Sequence, residues 1–320
     1  MAKTCQNFLM GIKLLIEMFP SYLNLIERGE FEDRVKNFIN ALSSCELCPR
    51  ACRVDRLKNE KGKCETGRFA RVSSYNPHFG EESPLVGYRG SGTIFFTWCN
   101  LKCVFCQNYE ISQLGEGREV TPDELADIML DLQRIGCHNI NLVSPTHVIA
   151  QVIEALRIAA WKGLNLPIVY NTGGYDSIKT LKMLEGIVDI YMPDMKYGDN
   201  ETAFKYSGIE GYFDVNKRAV KEMHRQVGDL IIDDWGIARR GLIIRHLVLP
   251  NGLANSEKVI KFIAEEISKN TYLNIMDQYR PCYRADEYPE LSRRITHKEW
   301  EEVVRLALKY GIKRLDGVRI

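Results

Sequence analysis

The sequence lacks any apolar run long enough to cross a membrane, and it has almost no net charge. Its 320 residues carry a formal net charge of +1, whereas a membrane-spanning helix needs about 20 consecutive apolar residues. The N-terminal run 8–19 is interrupted by Lys13 and Glu17, which indicates an amphipathic helix rather than a signal peptide. Balanced charge gives no reason to expect nucleic acid or an anionic membrane as a partner. We therefore expect a cytoplasmic protein.

Cysteine is abundant, and its placement is more informative than its number. Seven of the ten cysteines form two groups, Cys45/Cys48/Cys52/Cys64 and Cys99/Cys103/Cys106. Disulfides are disfavoured in a reducing compartment, and the three cysteines of the second group cannot all pair with one another. Metal or iron–sulfur ligation explains both groups better.

From residue 93 onward, short β-rich runs alternate with amphipathic helices. The predicted strands are 93–98, 139–143, 168–172, 187–193, 242–249 and 272–278. The predicted helices are 122–135, 146–162, 177–185, about 200–227, 256–268 and 297–310, and a hairpin is expected before the fifth strand. Thr121 with Glu124 and Thr296 with Glu299 are predicted capping boxes.

This alternation predicts an α/β fold built on a parallel sheet. Six strand–helix units imply right-handed crossovers, but they are too few for a closed eight-stranded barrel. We expect a partial (β/α)6 barrel of the TIM type with functional residues at the carboxyl ends of its strands. The predicted divisions are an N-terminal helical extension (1–44), a Cys-rich metal-binding segment (45–90), the barrel (91–290) and a C-terminal helix packing on it (291–320).

The most specific pattern is the spacing Cys-x3-Cys-x2-Cys, which begins at Cys99, where the first predicted strand ends. A [4Fe–4S] cluster normally binds four thiolates. With three, one iron keeps an open position, as catalytic metals do when they bind a substrate. The alternative is a zinc loop that takes its fourth ligand from elsewhere in the chain.

This motif, with Phe105 before its last cysteine, resembles the radical S-adenosylmethionine (SAM) superfamily. Residues 45–285 resemble the pyruvate formate-lyase activating enzyme group, and within it the PflX-like branch. The resemblance implies that a [4Fe–4S] cluster on Cys99, Cys103 and Cys106 binds SAM and cleaves it reductively to a 5′-deoxyadenosyl radical for hydrogen abstraction. It also implies a low-potential electron donor of the flavodoxin or ferredoxin type. The activating enzymes suggest a protein or peptide substrate and installation of a glycyl radical.

The resemblance assigns further residues to SAM. It implies that Phe105 lies against the adenine and that Asn108 matches an asparagine found after the third cysteine. The family has a Gly-Gly-Glu-Pro stretch after its second strand, where this chain has Ser-Pro-Thr-His beginning at Ser144. The carboxylate that receives the SAM amino group is therefore missing, and Ser144 offers only its hydroxyl and carbonyl groups.

Later strand ends supply four more candidate residues. Asn171 begins a polar-glycine turn similar to one near SAM in the family, although glycine favours such turns in any case. Asp194 and Lys196 resemble an Asp-x-Lys element for the ribose hydroxyls and the SAM carboxylate; the alternative is a solvated ion pair. Arg245 resembles a family arginine and is expected to clamp a carboxylate; the alternative is a structural salt bridge.

The sixth predicted strand ends in a segment that resembles a PflX-branch signature. We expect Gln278, Tyr279 and Arg280 at the barrel mouth, facing the substrate. The alternative is that this strand end packs on the C-terminal helix.

The first cysteine group also resembles the PflX-like branch, through its Cys-Pro-Arg segment at Cys48. Four soft ligands can saturate either zinc or a second [4Fe–4S] cluster. A second cluster could relay electrons to the first, whereas zinc would be structural, and the spacing leaves both open. The competing functions for the whole chain are a non-catalytic iron–sulfur electron-transfer or redox-sensing protein and a zinc-bearing interaction module.

Overall fold

A nine-stranded sheet forms the centre of the protein in a computed structural model that describes residues 20–318. The strands are β1 (Ala70–His78), β2 (Ser91–Phe96), β3 (Arg118–Val120), β4 (Ile140–Val143), β5 (Ile168–Thr172), β6 (Ile190–Pro193), β7 (Ile231–Ile232), β8 (Ala238–Leu247) and β9 (Tyr272–Met276). Their order is β3-β1-β2-β4-β5-β6-β8-β7, and β9 pairs with β8. The predicted helix at 8–19 lies outside the described residues.

Six of these strands run parallel and correspond to the six predicted ones. β2, β4, β5, β6, β8 and β9 pair in parallel in that order. The sheet does not close on itself, so the predicted α/β partial barrel is confirmed. The predicted hairpin is also confirmed, since β7 pairs antiparallel with the start of β8.

Two helices precede the sheet, and the others lie between its strands or after the last one. They are α1 (Ser21–Glu27), α2 (Phe31–Asn40), α3 (Ser83–Val86), α4 (Tyr109–Ser112), α5 (Pro122–Ile135), α6 (Ile149–Trp161), α7 (Ile178–Met183), α8 (Asn200–Ser207), α9 (Tyr212–Val227), α10 (Ser256–Phe262) and α11 (His297–Lys309). The described residues contain no helix with the length and apolar content that a membrane crossing would require.

Helix α5 shows how the sequence specifies these elements. Its first turn is closed by the predicted capping box: the Thr121 hydroxyl accepts a bond from the Glu124 amide at 3.2 Å, and the Glu124 carboxylate accepts one from the Thr121 amide at 2.8 Å. Leu125, Met129 and Leu132 are almost completely buried on one face, and each contributes about 2 kcal/mol through that burial. Gly136 ends the helix with φ 98°.

Two strands were not predicted. β1 pairs antiparallel with β2 and carries a bulge between Val72 and Ser74, and β3 pairs with the start of β1. The middle of β1 contains exposed polar residues such as Ser74 and Asn76, so it lacks the alternation that marks a half-buried strand. Residues 45–67 form the predicted irregular loop, interrupted by one short 3-10 turn at Arg56–Lys58.

The segment between β1 and β2 joins both ends of the parallel set. The side-chain amide of Asn139, just before β4, donates to the Leu85 carbonyl at 3.0 Å, and the side-chain amide of Asn274 in β9 donates to the Glu82 carboxylate at 2.9 Å. Leu85 is fully buried. This segment therefore carries Glu81 and Glu82 into the barrel, although both residues fall within the predicted Cys-rich metal-binding segment (45–90). The division of the chain into four segments stays a prediction.

The α5 capping box gives the first testable prediction. Thr121→Ala removes the acceptor for the Glu124 amide and should lower the free energy of unfolding by about 1 kcal/mol. Urea denaturation followed by circular dichroism measures the change. The control is Thr202→Ala within α8, because no hydrogen bond of the Thr202 hydroxyl is found within residues 20–318. An equal loss of stability in both variants would contradict the capping role.

Candidate functional site

The loop after β2 holds the second cysteine group and is fixed to α8 by backbone hydrogen bonds. The Lys102 amide donates to the Ser207 carbonyl at 3.1 Å, and the Val104 amide donates to the Tyr206 carbonyl at 2.8 Å. The loop also approaches the turn after β5, where the Asn100 side-chain amide donates to the Tyr175 carbonyl at 2.8 Å. The loop is thus held at the carboxyl ends of the strands, as predicted for a partial barrel.

All three thiols of this loop line one cavity of about 140 Å³ and lie beside hydrogen-bond donors. The Leu101 amide donates to Cys99 Sγ at 3.4 Å, and the Ser207 hydroxyl donates to Cys103 Sγ at 3.0 Å. Burial raises the pKa of the Cys103 thiol to about 12. The free thiol is therefore protonated at neutral pH, and metal coordination would make it a thiolate. This donor set fits an iron–sulfur cluster.

A larger cavity of about 350 Å³ adjoins the first and shares part of its wall. The shared residues include Cys103, Cys106, Asn108, Asn171, Asp194, Lys196 and Arg245. Ser144 lines only the smaller cavity, and Phe105 and Gln278 line only the larger one. The structure therefore brings together nearly all residues that the sequence assigned to the cluster, SAM and substrate.

A buried ion-pair network forms the polar wall shared by the two cavities. Arg245 Nε lies 2.8 Å from Asp194 Oδ1, and Arg245 Nη2 lies 2.7 Å from Asn171 Oδ1. Lys196 Nζ lies 2.5 Å from Asp194 Oδ2. These side chains are largely buried, so the predicted alternative of a solvated Asp194–Lys196 pair is wrong. Gly174 lets the turn after β5 approach this network, since a Cβ there would lie 2.1 Å from the Asp194 carbonyl oxygen.

Charge pairing outweighs burial in this network. Burial disfavours ionisation of Asp194, but Arg245 and Lys196 hold the pKa of its carboxyl below the ordinary value. Burial likewise opposes the charge on Lys196, yet Asp194 keeps the pKa of the ammonium above its ordinary value. The wall therefore presents fixed charges of both signs to a ligand.

Two of the three predicted substrate residues do not line the cavities. Tyr279 is 1% exposed; its ring packs edge-on against Phe105 at 5.7 Å, and its hydroxyl donates to the Leu291 carbonyl at 2.7 Å. Arg280 is exposed and lines neither cavity. The side chains beyond the end of β9 diverge because the chain has left the strand. Of the three residues, Gln278 alone lines the larger cavity, and its contact with the substrate stays a prediction.

Sequence reasoning missed Glu81 and Glu82. Glu81 lines the larger cavity, and its carboxylate lies 3.6 Å from Arg245 Nη1. Glu82 is 2% exposed and lies 4.0 Å from Arg245 Nε. Burial raises the pKa of both carboxyl groups, and Arg245 opposes that rise. No local signal identified them, because two adjacent glutamates before a turn are typical of solvated surface.

The first cysteine group forms a separate small pocket. Cys45, Cys48, Cys52 and Cys64 all line it, together with Arg56 and His147. Arg56 Nη1 lies 3.6 Å from Cys45 Sγ and 2.8 Å from the His147 carbonyl oxygen. Gly62 is required by the close packing, since a Cβ there would lie 2.9 Å from Cys52 Sγ. Burial raises the pKa of the Cys48 thiol to about 12.

The two cysteine groups are joined by short polar contacts. Arg50, between Cys48 and Cys52, donates from Nε to the Asn100 carbonyl at 2.5 Å. His147 is 2% exposed, and its Nε2 lies 2.9 Å from the Thr97 carbonyl oxygen. Both carbonyls belong to the loop that carries the second cysteine group. Burial lowers the pKa of His147 to about 4, so its ring is neutral at neutral pH.

Within residues 20–318 no three His, Cys, Asp or Glu side chains lie close enough together to hold a single metal ion. A four-iron cluster does not require that spacing, because each of its thiolates binds a different iron atom.

Comparison with known proteins identifies related chains. Residues 93–233 match the model of the Radical SAM superfamily. An uncharacterized protein of Methanocaldococcus jannaschii is 36% identical over 283 residues, which cover 85% of this chain and 77% of that protein. The pyruvate formate-lyase-activating enzyme of Clostridium pasteurianum is 26% identical over 196 residues, covering 59% of this chain and 75% of that enzyme.

Solved structures match over a smaller share of their length. A radical SAM methyltransferase from Sphaerobacter thermophilus aligns with a TM-score of 0.47 and 15% identity, over 69% of this chain and 64% of that chain.

The buried wall gives the second prediction. Asp194→Asn leaves Arg245 and Lys196 without their carboxylate and should lower the free energy of unfolding by about 3 kcal/mol or more at pH 7. Because folding lowers the pKa of Asp194, its contribution is present above the ordinary carboxyl pKa and disappears as the pH falls through the folded-state pKa. Urea denaturation at a series of pH values should therefore show that the free energy of unfolding falls less steeply with acidification in the variant than in the wild type.

The matched control is Asp127→Asn, which breaks the exposed pair with Lys162 at 2.9 Å. Solvent screens that pair, so the free energy of unfolding should change by less than about 1 kcal/mol. Equal effects of the two substitutions would show that the Asp194 network adds no stability beyond that of an exposed ion pair.

Proposed function

Because this chain belongs to the radical SAM superfamily, we propose that it cleaves SAM reductively at a [4Fe–4S] cluster held by Cys99, Cys103 and Cys106. A bound cluster would supply the single electron that splits SAM into methionine and a 5′-deoxyadenosyl radical, and that radical would abstract a hydrogen atom from the substrate. The observation that supports this best is the convergence of three thiols and a buried polar wall on adjoining cavities. A non-catalytic electron carrier or redox sensor would not need that wall.

We propose that the polar wall binds SAM mainly through Lys196 and Asp194. The Lys196 ammonium lines both cavities and can pair with the SAM carboxylate, while Asp194 can accept from the ribose hydroxyls. The Arg245 guanidinium already bonds to Asp194 and Asn171. We infer that it positions those two side chains rather than clamping the SAM carboxylate itself.

The remaining cofactor residues are assigned by their place on the cavity walls. Asn108 and Ser144 line the part that contains the cysteines and can bond to polar SAM atoms, whereas Phe105 offers a buried aromatic face for the adenine. Ser144 has φ 57° and its amide donates to the Asn171 carbonyl at 2.8 Å. This backbone bond fixes the turn where the Gly-Gly-Glu-Pro stretch would lie.

The proposed substrate is a protein or peptide, and the proposed reductant is a flavodoxin- or ferredoxin-type donor in the cytoplasm. Both follow from the resemblance to the pyruvate formate-lyase activating enzymes, to which the match is partial. Membership of the PflX-like branch and activation of a glycyl radical partner are proposals of the same kind. A reduced donor with SAM and cell extract, followed by a search for a new radical, tests them.

We also propose that the first cysteine group binds a second [4Fe–4S] cluster that passes electrons to the first. The contacts from Arg50 and His147 to the loop of the second group support such a relay, since they join the walls of the first cysteine pocket to the loop that carries Cys99, Cys103 and Cys106. Zinc in the same pocket would instead stabilise the polar segment 45–67.

The third prediction tests the catalytic cluster. Cys103→Ala should abolish SAM cleavage by the anaerobically reconstituted, dithionite-reduced protein and remove about one cluster's worth of iron, because three thiolates are needed to hold the cube. The products methionine and 5′-deoxyadenosine are measured by chromatography. Cys137→Ala is the control, since Cys137 is buried in the core and lines neither cavity. Retained cleavage in the Cys103 variant would exclude the proposed cluster.

The fourth prediction tests the first cysteine group. Cys48→Ala should remove the metal of this site while the Cys103-dependent cluster remains, so the metal content falls without complete loss of iron. Iron and zinc are measured together on the same sample. Loss of iron and sulfide supports the second cluster, and loss of zinc supports the structural alternative. An unchanged metal content would show that these thiols bind no metal.

A further inference from the structure

The larger cavity extends beyond the cysteine-lined part into a region where Gln278 is joined by residues that the sequence analysis did not single out. His78, Gly80, Glu81 and Phe95 line only this region, as does Gln278. The region is therefore on the side of the predicted substrate residue. The smaller cavity contains Cys99 and Ser144 and does not include Glu81.

We propose that Glu81 binds a cationic group of the substrate, an ammonium or a guanidinium, and thereby selects substrates that carry one. This inference rests on the function proposed above, because it concerns the molecule that meets the adenosyl radical in the same cavity.

The first argument is the burial of Glu81. Its side chain is 8% exposed, and the nearest cation is Arg245, 3.6 Å away. That guanidinium is already bonded to Asp194 at 2.8 Å and to Asn171 at 2.7 Å. A buried carboxylate is stable only when it is paired. Within residues 20–318 no cation lies closer to Glu81 than Arg245, so its carboxylate has the capacity for a stronger cationic partner supplied by a ligand.

The second argument is the charge of the surrounding wall. Asp194 and Glu81 contribute carboxylates to the cavity wall, whereas Lys196 and Arg245 contribute cations. Both cations pair most closely with Asp194, at 2.5 Å and 2.8 Å. A cationic ligand would give Glu81 a partner of its own, and an anionic one would leave it without one.

The third argument is the apolar surface beside Glu81. Phe95, Leu247 and Met276 line the same cavity, so an alkyl stem could lie along them while its charged end reaches Glu81. This arrangement fits the stem-and-charge shape of a Lys or Arg side chain or of a small alkylamine. A peptide side chain and a small alkylamine both carry a cation on a short alkyl chain, and the experiment below distinguishes between them.

The test uses the reconstituted holoenzyme and isothermal calorimetry with two pairs of probes. One pair is n-butylammonium and n-butanol, and the other is the acetylated methylamides of lysine and norleucine. The wild type should bind at least one cation about tenfold or more tightly than its neutral partner. Binding of n-butylammonium alone indicates a small amine as the source, and binding of the lysine derivative alone indicates a peptide side chain.

Glu81→Gln should abolish the preference for the cation and leave the affinity for SAM unchanged. Glu81→Asp keeps the charge on a shorter side chain, so it should retain the preference with weaker binding. A retained preference in this variant would show that a substitution at this position does not by itself disrupt folding. The control is Asp277→Asn, which removes an exposed carboxylate next to Gln278 and should keep the full preference.

The proposal is overturned if the wild type shows no charge preference or if Glu81→Gln retains it. Weaker SAM binding by Glu81→Gln would also overturn it, since the carboxylate would then serve the SAM amino group. SAM cleavage by the same wild-type sample is measured in parallel. Its absence would refute the proposed function separately, because cation binding is measured without turnover.

Discussion

The ion pair between Asp194 and Arg245 joins the carboxyl ends of two neighbouring parallel strands inside the protein. Lys196 completes the pairing of Asp194, and Asn171 completes that of Arg245. Charges buried in this way are stable only while each has its partner. The polar wall of the cavities therefore depends on this network, and so do the positions of Asp194 and Lys196, through which the wall is proposed to bind SAM.

The cysteine loop is fixed by its own contacts with neighbouring elements. Backbone bonds to α8 hold the loop, and the side-chain amide of Asn100 ties it to the turn after β5. The first cysteine group reaches this loop through Arg50, so a polar, irregular segment becomes part of the site. A metal bound by the first cysteine group would stabilise the fold of segment 45–67, which contains few apolar side chains.

Much of the fold was predictable because its elements are locally specified. The capping box at Thr121 and the buried face of α5 are formed by residues close together in the sequence, and the helix lies where they predict it. β1 was missed because its exposed polar residues hide the alternation. Tyr279 was expected to face the substrate, but its ring packs against Phe105. That contact depends on tertiary packing, which the local sequence does not specify.

The sequence by itself determined the partial barrel and the spacing of the three cysteines, since both depend on residues close together in the chain. Only the tertiary structure decided which charges share a cavity. Glu81, Asp194 and Arg245 are far apart in sequence. Their contact arises from strand pairing and from the position of the segment that connects β1 to β2. Coulomb interactions depend on distance in space and on burial, and neither is recorded in the order of the residues.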